Sequence, residues 1–338
     1  MSVLLLTHER YLHHDLGRGH PERPDRLRAV LEGVRLLDLD DEVTVDVPRP
    51  ATSAELERVH DPALVKALDV LSEAGGGWID ADTAVNDASY DAAVLAAGAG
   101  LTAVERLRAG DATSAFCAVR PPGHHATPTR SMGFCLFNNV AVTAAALVDQ
   151  GERVLIVDYD AHHGNGTQDA FWRHGNVLYV SLHQYPLYPG TGGPREVGEG
   201  AGRGTTVNIP LPPGSTGDTF RAAVDEVVVP AAASFAPTWL LLSAGFDGHR
   251  ADPITDLGLS SGDYADLTST LLDLVPPGRR VVFLEGGYDL EALRDSAAAC
   301  VAAMAGERRV PEPPTSGGPG RDAVAAAVLL RAQVTGGG

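Results

Sequence analysis

The feature that most limits how this chain can fold is a series of short apolar runs. They are Ala115–Val119, Val154–Tyr159, Val177–Leu182, Thr206–Ile209, Trp239–Ala244 and Val281–Glu285. None alternates polar with apolar residues, so each predicted strand must be covered on both faces, the condition of a parallel sheet between layers of helix. The segments between them are long and rich in alanine. Tyr90–Arg108, Asn139–Gln150, Gly217–Phe235, Gly262–Val275 and Leu290–Ala305 read as helices. Such alternation predicts a doubly wound α/β domain. Met1–Leu6 reads as a first strand and not a signal peptide, because it reaches His8, Glu9 and Arg10 too soon and has no basic start. No internal repeat is visible. Residues 1–309 are expected to form one domain. Val310–Gly320, with Pro311, Pro313 and Pro314, reads as a breaker-rich linker before a short helix, Arg321–Gln333, and Gly336–Gly338 as a disordered tail.

Charge and cysteine content exclude several classes of function. A net charge of −18 argues against nucleic-acid binding, which needs basic patches. It suits a cationic substrate, although the same balance also aids solubility. No apolar run is long enough to cross a membrane. The 3 cysteines, Cys117, Cys135 and Cys300, are odd in number and widely spaced. That speaks against a disulfide framework or a cysteine zinc site, and for a reducing cytoplasm.

In an open α/β sheet, sites form at the carboxyl ends of the strands. Val154–Val157 runs into Asp158-Tyr159-Asp160-Ala161-His162-His163-Gly164-Asn165. Trp239–Ala244 runs into Gly245-Phe246-Asp247, Val281–Leu284 into Glu285-Gly286-Gly287-Tyr288, and Ala115–Val119 into Arg120-Pro121-Pro122-Gly123-His124-His125. Asp160 and His162 are two residues apart, so in an extended segment their side chains point the same way. With Asp247 from another strand end they make an Asp2His set, three protein ligands with an open position, as in a catalytic zinc site; iron or cobalt would also accept these donors. A lone Asp at a strand end is commonly a helix cap. Asp158, Asp160, His162 and His163 together are costly to bury without a metal or mutual pairing. A histidine of the His124-His125 pair can act as general base toward an attacking water, and Asp158 and Asn165 are the candidates to orient the rings. Tyr288, after two glycines that permit close backbone approach, can donate to an oxyanion; the alternative is an aromatic packed on a glycine turn.

With these motifs in view, the chain resembles the histone deacetylase superfamily. The resemblance rests on Arg120–Ala126, Gly133–Asn139, Asp158–Gln168, Ser181–His183, Pro189–Gly192, Ser243–Asp247 and Glu285–Tyr288, in order over roughly residues 5–305, with His20-Pro21-Glu22-Arg23-Pro24 at the start. The Arg-Pro-Pro-Gly-His-His and Glu-Gly-Gly-Tyr forms are similar to the class II branch and its bacterial relatives, among them acetoin-utilisation and acetylpolyamine amidohydrolase proteins. The resemblance implies an arginase/deacetylase-like α/β fold, a central, mostly parallel eight-stranded sheet flanked by helices on both faces. It implies a zinc-dependent amidohydrolase acting on acetyl-lysine or a small N-acetylated amine. Zinc would lie on Asp160, His162 and Asp247. His125 would be the base and His124 its electrostatic partner near the leaving amine, supported by Asn165 and Asp158 respectively, and Tyr288 would polarise the scissile carbonyl. Phe134 and Tyr188 would wall the acyl tunnel, and Gly133 would take a hydrogen bond from the substrate amide. The resemblance further implies potassium near the zinc loop, on Asp158, Asp160 and His162 with Ser181 and Leu182, and a second potassium site at Phe171, His174 and Val177. Family members include monomers, dimers and tetramers, so a homo-oligomer is one expected state.

Three positions depart from the family pattern. Tyr188 replaces the commoner Phe, Asp289 stands where Asn is frequent, and apolar Ile254 occupies the place where polyamine-specific relatives carry an acidic gatekeeper. Two other functions remain as alternatives. A binuclear manganese ureohydrolase of the same fold would need additional bridging carboxylates, and no second Asp lies two residues from Asp247. An inactive acyl-ligand sensor would have no need of the full set of ligands, histidines and Tyr288.

Overall fold

The apolar runs become the centre of one sheet in the computed structural model, which describes residues 1–17 and 19–336. Gly337 and Gly338, the end of the expected tail, lie outside the described residues. The strands are β1 (Val3–Leu6), β2 (Val43–Asp46), β3 (Gly76–Trp78), β4 (Ala84–Asn86), β5 (Ser114–Cys117), β6 (Val154–Asp158), β7 (Val177–Gln184), β8 (Thr206–Leu211), β9 (Trp239–Ala244) and β10 (Arg280–Leu284). Eight of them form a sheet in the order β2-β1-β5-β10-β9-β6-β7-β8, and β3 and β4 make a separate antiparallel hairpin. Every pairing in the large sheet is parallel. The sequence led us to expect a mostly parallel sheet. Covering both faces allows an entirely parallel one, and every residue of β5, β6, β7, β9 and β10 is buried.

The helices are α1 (Pro24–Arg35), α2 (Ser53–Leu56), α3 (Pro62–Glu73), α4 (Ser89–Ala109), α5 (Asn139–Val148), α6 (Asn165–Phe171), α7 (Gly217–Ala223), α8 (Val229–Phe235), α9 (Ser261–Leu272), α10 (Leu290–Ala305) and α11 (Arg321–Thr335). The single helix expected over Gly217–Phe235 is instead α7 and α8 joined by a π-helical turn, Val224–Val228. Pro230 has no N–H to offer the carbonyl four residues back, and a widened turn just before it absorbs that loss. Helices α1 and α3 are additions to the expected set, although both carry start signals: Pro24 opens α1, and Asp61 caps α3 ahead of Pro62. Strand β2 is another, an edge strand whose Val45 is exposed and which therefore has no two-faced apolar pattern. No helix among the described residues is long and apolar enough to cross a membrane.

Register sets the position of the site. Asp158 at the end of β6 pairs with Ser181 of β7 on one side and Ser243 of β9 on the other, and Leu284 of β10 pairs with Ala244 of β9. The polar segments that follow β6, β9 and β10 therefore leave the sheet side by side. After α10 the chain continues in an extended stretch, and Val324 and Ala327 of α11 bury themselves in the main core.

Candidate active site

Side chains from the ends of β6 and β9 meet first. A nitrogen of His162 and carboxylate oxygens of Asp160 and Asp247 all lie within 4.8 Å of one another, and all three residues are buried. His162 Nδ1 stands 2.9 Å from Asp247 Oδ2 and 3.1 Å from Asp160 Oδ1. Backbone amides hold the outer oxygens: Ala161 N–H donates to Asp247 Oδ1 (2.9 Å) and Gly286 N–H to Asp160 Oδ2 (2.8 Å). Gly286 is required there. A Cβ at this position would sit 2.4 Å from Asp247 Oδ2 and 2.6 Å from Asp160 Oδ2. Two carboxylates and an imidazole nitrogen, desolvated and converging, are the hard and borderline donors that suit a divalent zinc ion, and a cation at their centre would relieve the cost of packing two anions together.

The tandem histidines lie beside this group, their rings tilted 42° to each other with centroids 4.0 Å apart. His124 Nδ1 is 3.1 Å from Asp158 Oδ2, and His125 Nδ1 is 2.8 Å from Asn165 Oδ1. These different partners push the two rings apart in pKa. Burial opposes a charge on His124, but Asp160, Asp158 and Glu285 outweigh it and raise its pKa well above the usual imidazole range. Burial, together with the neighbouring His124 and His162 rings, lowers that of His125 well below it. The surroundings thus draw the two rings in opposite directions, His124 toward the cation and His125 toward the free base, as in an acid–base pair.

Glu285 fixes the loop that carries both rings. Its Oε2 accepts from Gly123 N–H (2.7 Å) and His124 N–H (3.2 Å), and Oε1 accepts from Ser243 Oγ (3.2 Å). Behind it lies a buried ion network built on Glu22. Arg120 donates to both Glu22 oxygens, at 2.5 and 2.6 Å, and Arg26 donates to Oε1 at 3.1 Å. Arg26 also donates to the carbonyls of Gly287 (2.6 Å) and Glu285 (2.5 Å), which clamps the Gly286–Gly287 turn. Its guanidinium lies 4.9 Å from the centre of the Tyr288 ring. Sequence reading quoted Glu22 and Glu285 within motifs but gave neither a task, and missed Arg26. The available signal was the i,i+4 spacing of Glu22 and Arg26 across the start of α1.

A cavity of about 180 Å³ opens above the cluster, lined by His124, His125, His162, Gly133, Phe134, Tyr188, Ile254, Gly286 and Tyr288, with Asp82 and Pro122. Of the residues expected around a substrate, Gly133, Phe134, Tyr188 and Ile254 are therefore all on its wall. Phe134 faces Tyr288 edge to face at 5.9 Å, and Tyr188 meets His125 at 5.1 Å. Phe134 has a left-handed backbone (φ 67°), unusual for a bulky residue. Its N–H donates to Thr83 Oγ1 (3.1 Å), and the His20 ring packs on it at 4.9 Å. Gly133 must lack a side chain, because a Cβ would approach the His125 ring to 2.5 Å. Tyr188 and Ile254, 37% and 38% exposed, form the rim.

Asp252, two residues before Ile254, holds the Tyr288 loop in place. Its Oδ2 accepts from Tyr288 N–H (2.7 Å), and Oδ1 from Ile254 N–H (3.1 Å). Burial, with Asp247 nearby, raises its pKa to about 7. Asp289 caps α10 through the N–H groups of Glu291 (3.1 Å) and Ala292 (2.9 Å), a task Asn performs equally well. Several residues expected around potassium are neighbours in the sheet. Asp158 and Ser181 are paired across β6 and β7, with Leu182 next along β7. Of the more distant set, His174 N–H donates to Phe171 O (3.0 Å), and Val177 begins β7.

Comparison with known proteins agrees with this geometry. The sequence model of a family described as "Histone deacetylase domain" matches residues 20–304. A "Probable deacetylase" of Archaeoglobus fulgidus is 40% identical over 313 residues, covering 90% of this chain and 87% of the relative. A "Histone deacetylase-like amidohydrolase" of Pseudomonas aeruginosa is 38% identical, covering 80% of this chain and 73% of the relative. The crystal structure of the HDA15 HD domain superposes with a TM-score of 0.90 at 38% identity, over 98% of this chain and 94% of that one.

Proposed function

Since the chain belongs to the histone deacetylase family and is a hydrolase of amide bonds, we propose that it is a zinc-dependent deacetylase that removes an acetyl group from acetyl-lysine or a small N-acetylated amine. The observation that carries this reading is the buried Asp160–His162–Asp247 donor group, whose His162 shares the wall of one cavity with His124 and His125. Zinc on those three residues would supply Lewis acidity toward the scissile carbonyl and toward water. The remaining chemistry belongs to the chain's own side chains. His125, neutral and aligned by Asn165, takes the proton of the attacking water at Nε2. His124, oriented by Asp158, stabilises the developing negative charge and delivers a proton to the leaving amine. Tyr288 donates its hydroxyl to the carbonyl oxygen as that oxygen becomes an oxyanion. Phe134 and Tyr188 exclude water around the acyl-bearing chain, and the Gly133 carbonyl receives the substrate amide N–H. Potassium on Asp158, Ser181 and Leu182 would offset the negative charge that Asp158 brings to the strand end. Metal analysis together with turnover on an acetyl-lysine amide tests the assignment. Zinc near one per chain and release of acetate are expected; a metal-free chain with full turnover would sink it.

Two further outcomes follow from particular residues. Asp247→Ala should lose most of its zinc, because it removes one of three ligands and leaves His162 Nδ1 a single carboxylate at 3.1 Å. Retention of full stoichiometry on metal analysis would take Asp247 out of the coordination set. Ile254 is an apolar residue on the rim, where a cationic acetylpolyamine would gain from a carboxylate. The wild-type enzyme should therefore have lower kcat/KM for acetylspermidine than for an acetyl-lysine peptide, and Ile254→Glu should raise the former. A strong wild-type preference for acetylspermidine would refute this and turn attention to Asp82 on the same cavity wall.

A further inference from the structure

The extended stretch between α10 and α11 lies beyond the residues matched by the family, which end at 304. It is tied down along its length. Glu312 Oε2 accepts from His249 Nε2 (2.6 Å) and Ser261 N–H (3.2 Å), and Oε1 accepts from Arg250 (2.5 Å). Pro313 O accepts from Ser260 Oγ (2.8 Å), and Thr315 Oγ1 donates to Asp263 Oδ2 (2.8 Å). A Cβ on Gly262 would come within 2.4 Å of Glu312 O, so the stretch lies directly on the start of α9.

The contact with His249 continues toward the site. The His249 ring is 4% exposed, and its Nδ1 accepts from Ala251 N–H (3.2 Å), which leaves the proton on Nε2 to be donated to Glu312. Asp252 N–H donates to His249 O (2.8 Å), closing the turn, and the Asp252 carboxylate receives Tyr288 N–H at 2.7 Å. We propose that Glu312 is a positioning residue for the reaction: through His249 it sets the 249–252 turn, and through Asp252 that turn holds Tyr288 in its inward place. This rests on the reading of Tyr288 as the oxyanion donor. Arg250 binds the same carboxylate but has no part in the route, since its side chain is half exposed and, among the described residues, donates to Glu312 alone. A contact made by a buried imidazole controls the geometry of a loop more tightly than one made by a half-exposed guanidinium does.

The test is a double-mutant cycle on the full chain with an acetyl-lysine amide. Glu312→Gln should lower kcat by about three- to thirtyfold with KM little changed, a range typical of residues that act through a network. In the Tyr288→Phe background the same substitution should cost less than about twofold, because the group it positions is gone. Arg250→Gln should stay within about twofold of wild type, a surface change that leaves the His249 contact intact. An equal loss from Glu312→Gln in both backgrounds, with Tyr288→Phe itself strongly impaired, would overturn the positioning role while leaving Tyr288 as the donor. An unimpaired Tyr288→Phe would overturn both. A loss from Arg250→Gln equal to that from Glu312→Gln would reduce Glu312 to a docking residue and also overturn the proposal.

Discussion

Tyr288→Phe should lower kcat by about 10²–10³, with KM little changed, because it removes one donor that acts chiefly on the transition state. Attack on an amide places a full negative charge on the former carbonyl oxygen, in a cavity whose walls are largely apolar and where a single aligned donor is worth about 3–4 kcal/mol. The substitution is conservative in its packing. The Tyr288 ring meets Phe134 at 5.9 Å and the Arg26 guanidinium at 4.9 Å, and both contacts are made by ring atoms that Phe retains. The backbone anchor, Tyr288 N–H to Asp252 at 2.7 Å, is also untouched. Zinc content and folding should therefore match wild type, and crystals of the variant should hold an uncleaved acetyl substrate. Wild-type kcat in steady-state assays would make the phenol a packing residue, and the oxyanion donor would have to be sought at a histidine.

His125→Ala should lower kcat by about 10²–10⁴, the span of general-base effects, while zinc remains bound. The ring is not among the three convergent ligands, so its removal leaves that set complete. Its pKa gives the experiment a second measurement. Burial and the two neighbouring imidazoles hold His125 neutral well below the ordinary imidazole range, so the base is available across neutral pH and is lost only as acid protonates it. The wild-type pH profile should carry an acid limb below about 6.5, the unperturbed imidazole value, and that limb should vanish in the variant. A near-normal kcat, or an acid limb that survives, would move the base to His124.

Much of the fold was legible because burial on two faces leaves a direct mark on a strand. β9 begins at Trp239 and ends at Ala244, as its apolar run does, and the runs of β6 and β10 agree with the observed strands to one residue at either end. Elements that touch solvent left weaker marks. β2 exposes Val45, and α1 buries Leu27, Val30 and Val34 on one side only, within a polar sequence. Many of the residues that line the site were legible for a related reason. Carboxylates and imidazoles immediately after a buried strand cannot reach solvent cheaply, so Asp158, Asp160, His162 and Asp247 stood out before any contact was known.

What the sequence determined by itself was therefore a covered parallel sheet, the edge of it on which the chemistry collects, and the types of donor gathered there. Local pattern suffices for these, because burial and strand direction act on residues a few positions apart. The pairs Asp158–His124 and Asn165–His125 were already expected, but only the tertiary structure decided which more distant groups support the site. Arg26 reaches a carbonyl 259 residues away, Glu285 holds a histidine loop 161 residues away, and Glu312 reaches His249 across 63. Hydrogen bonds act over about 3 Å and require alignment, so their partners are set by how strands and loops come together in space. Neither spacing nor composition encodes that meeting, and it is there that two neighbouring imidazoles come to have opposite surroundings.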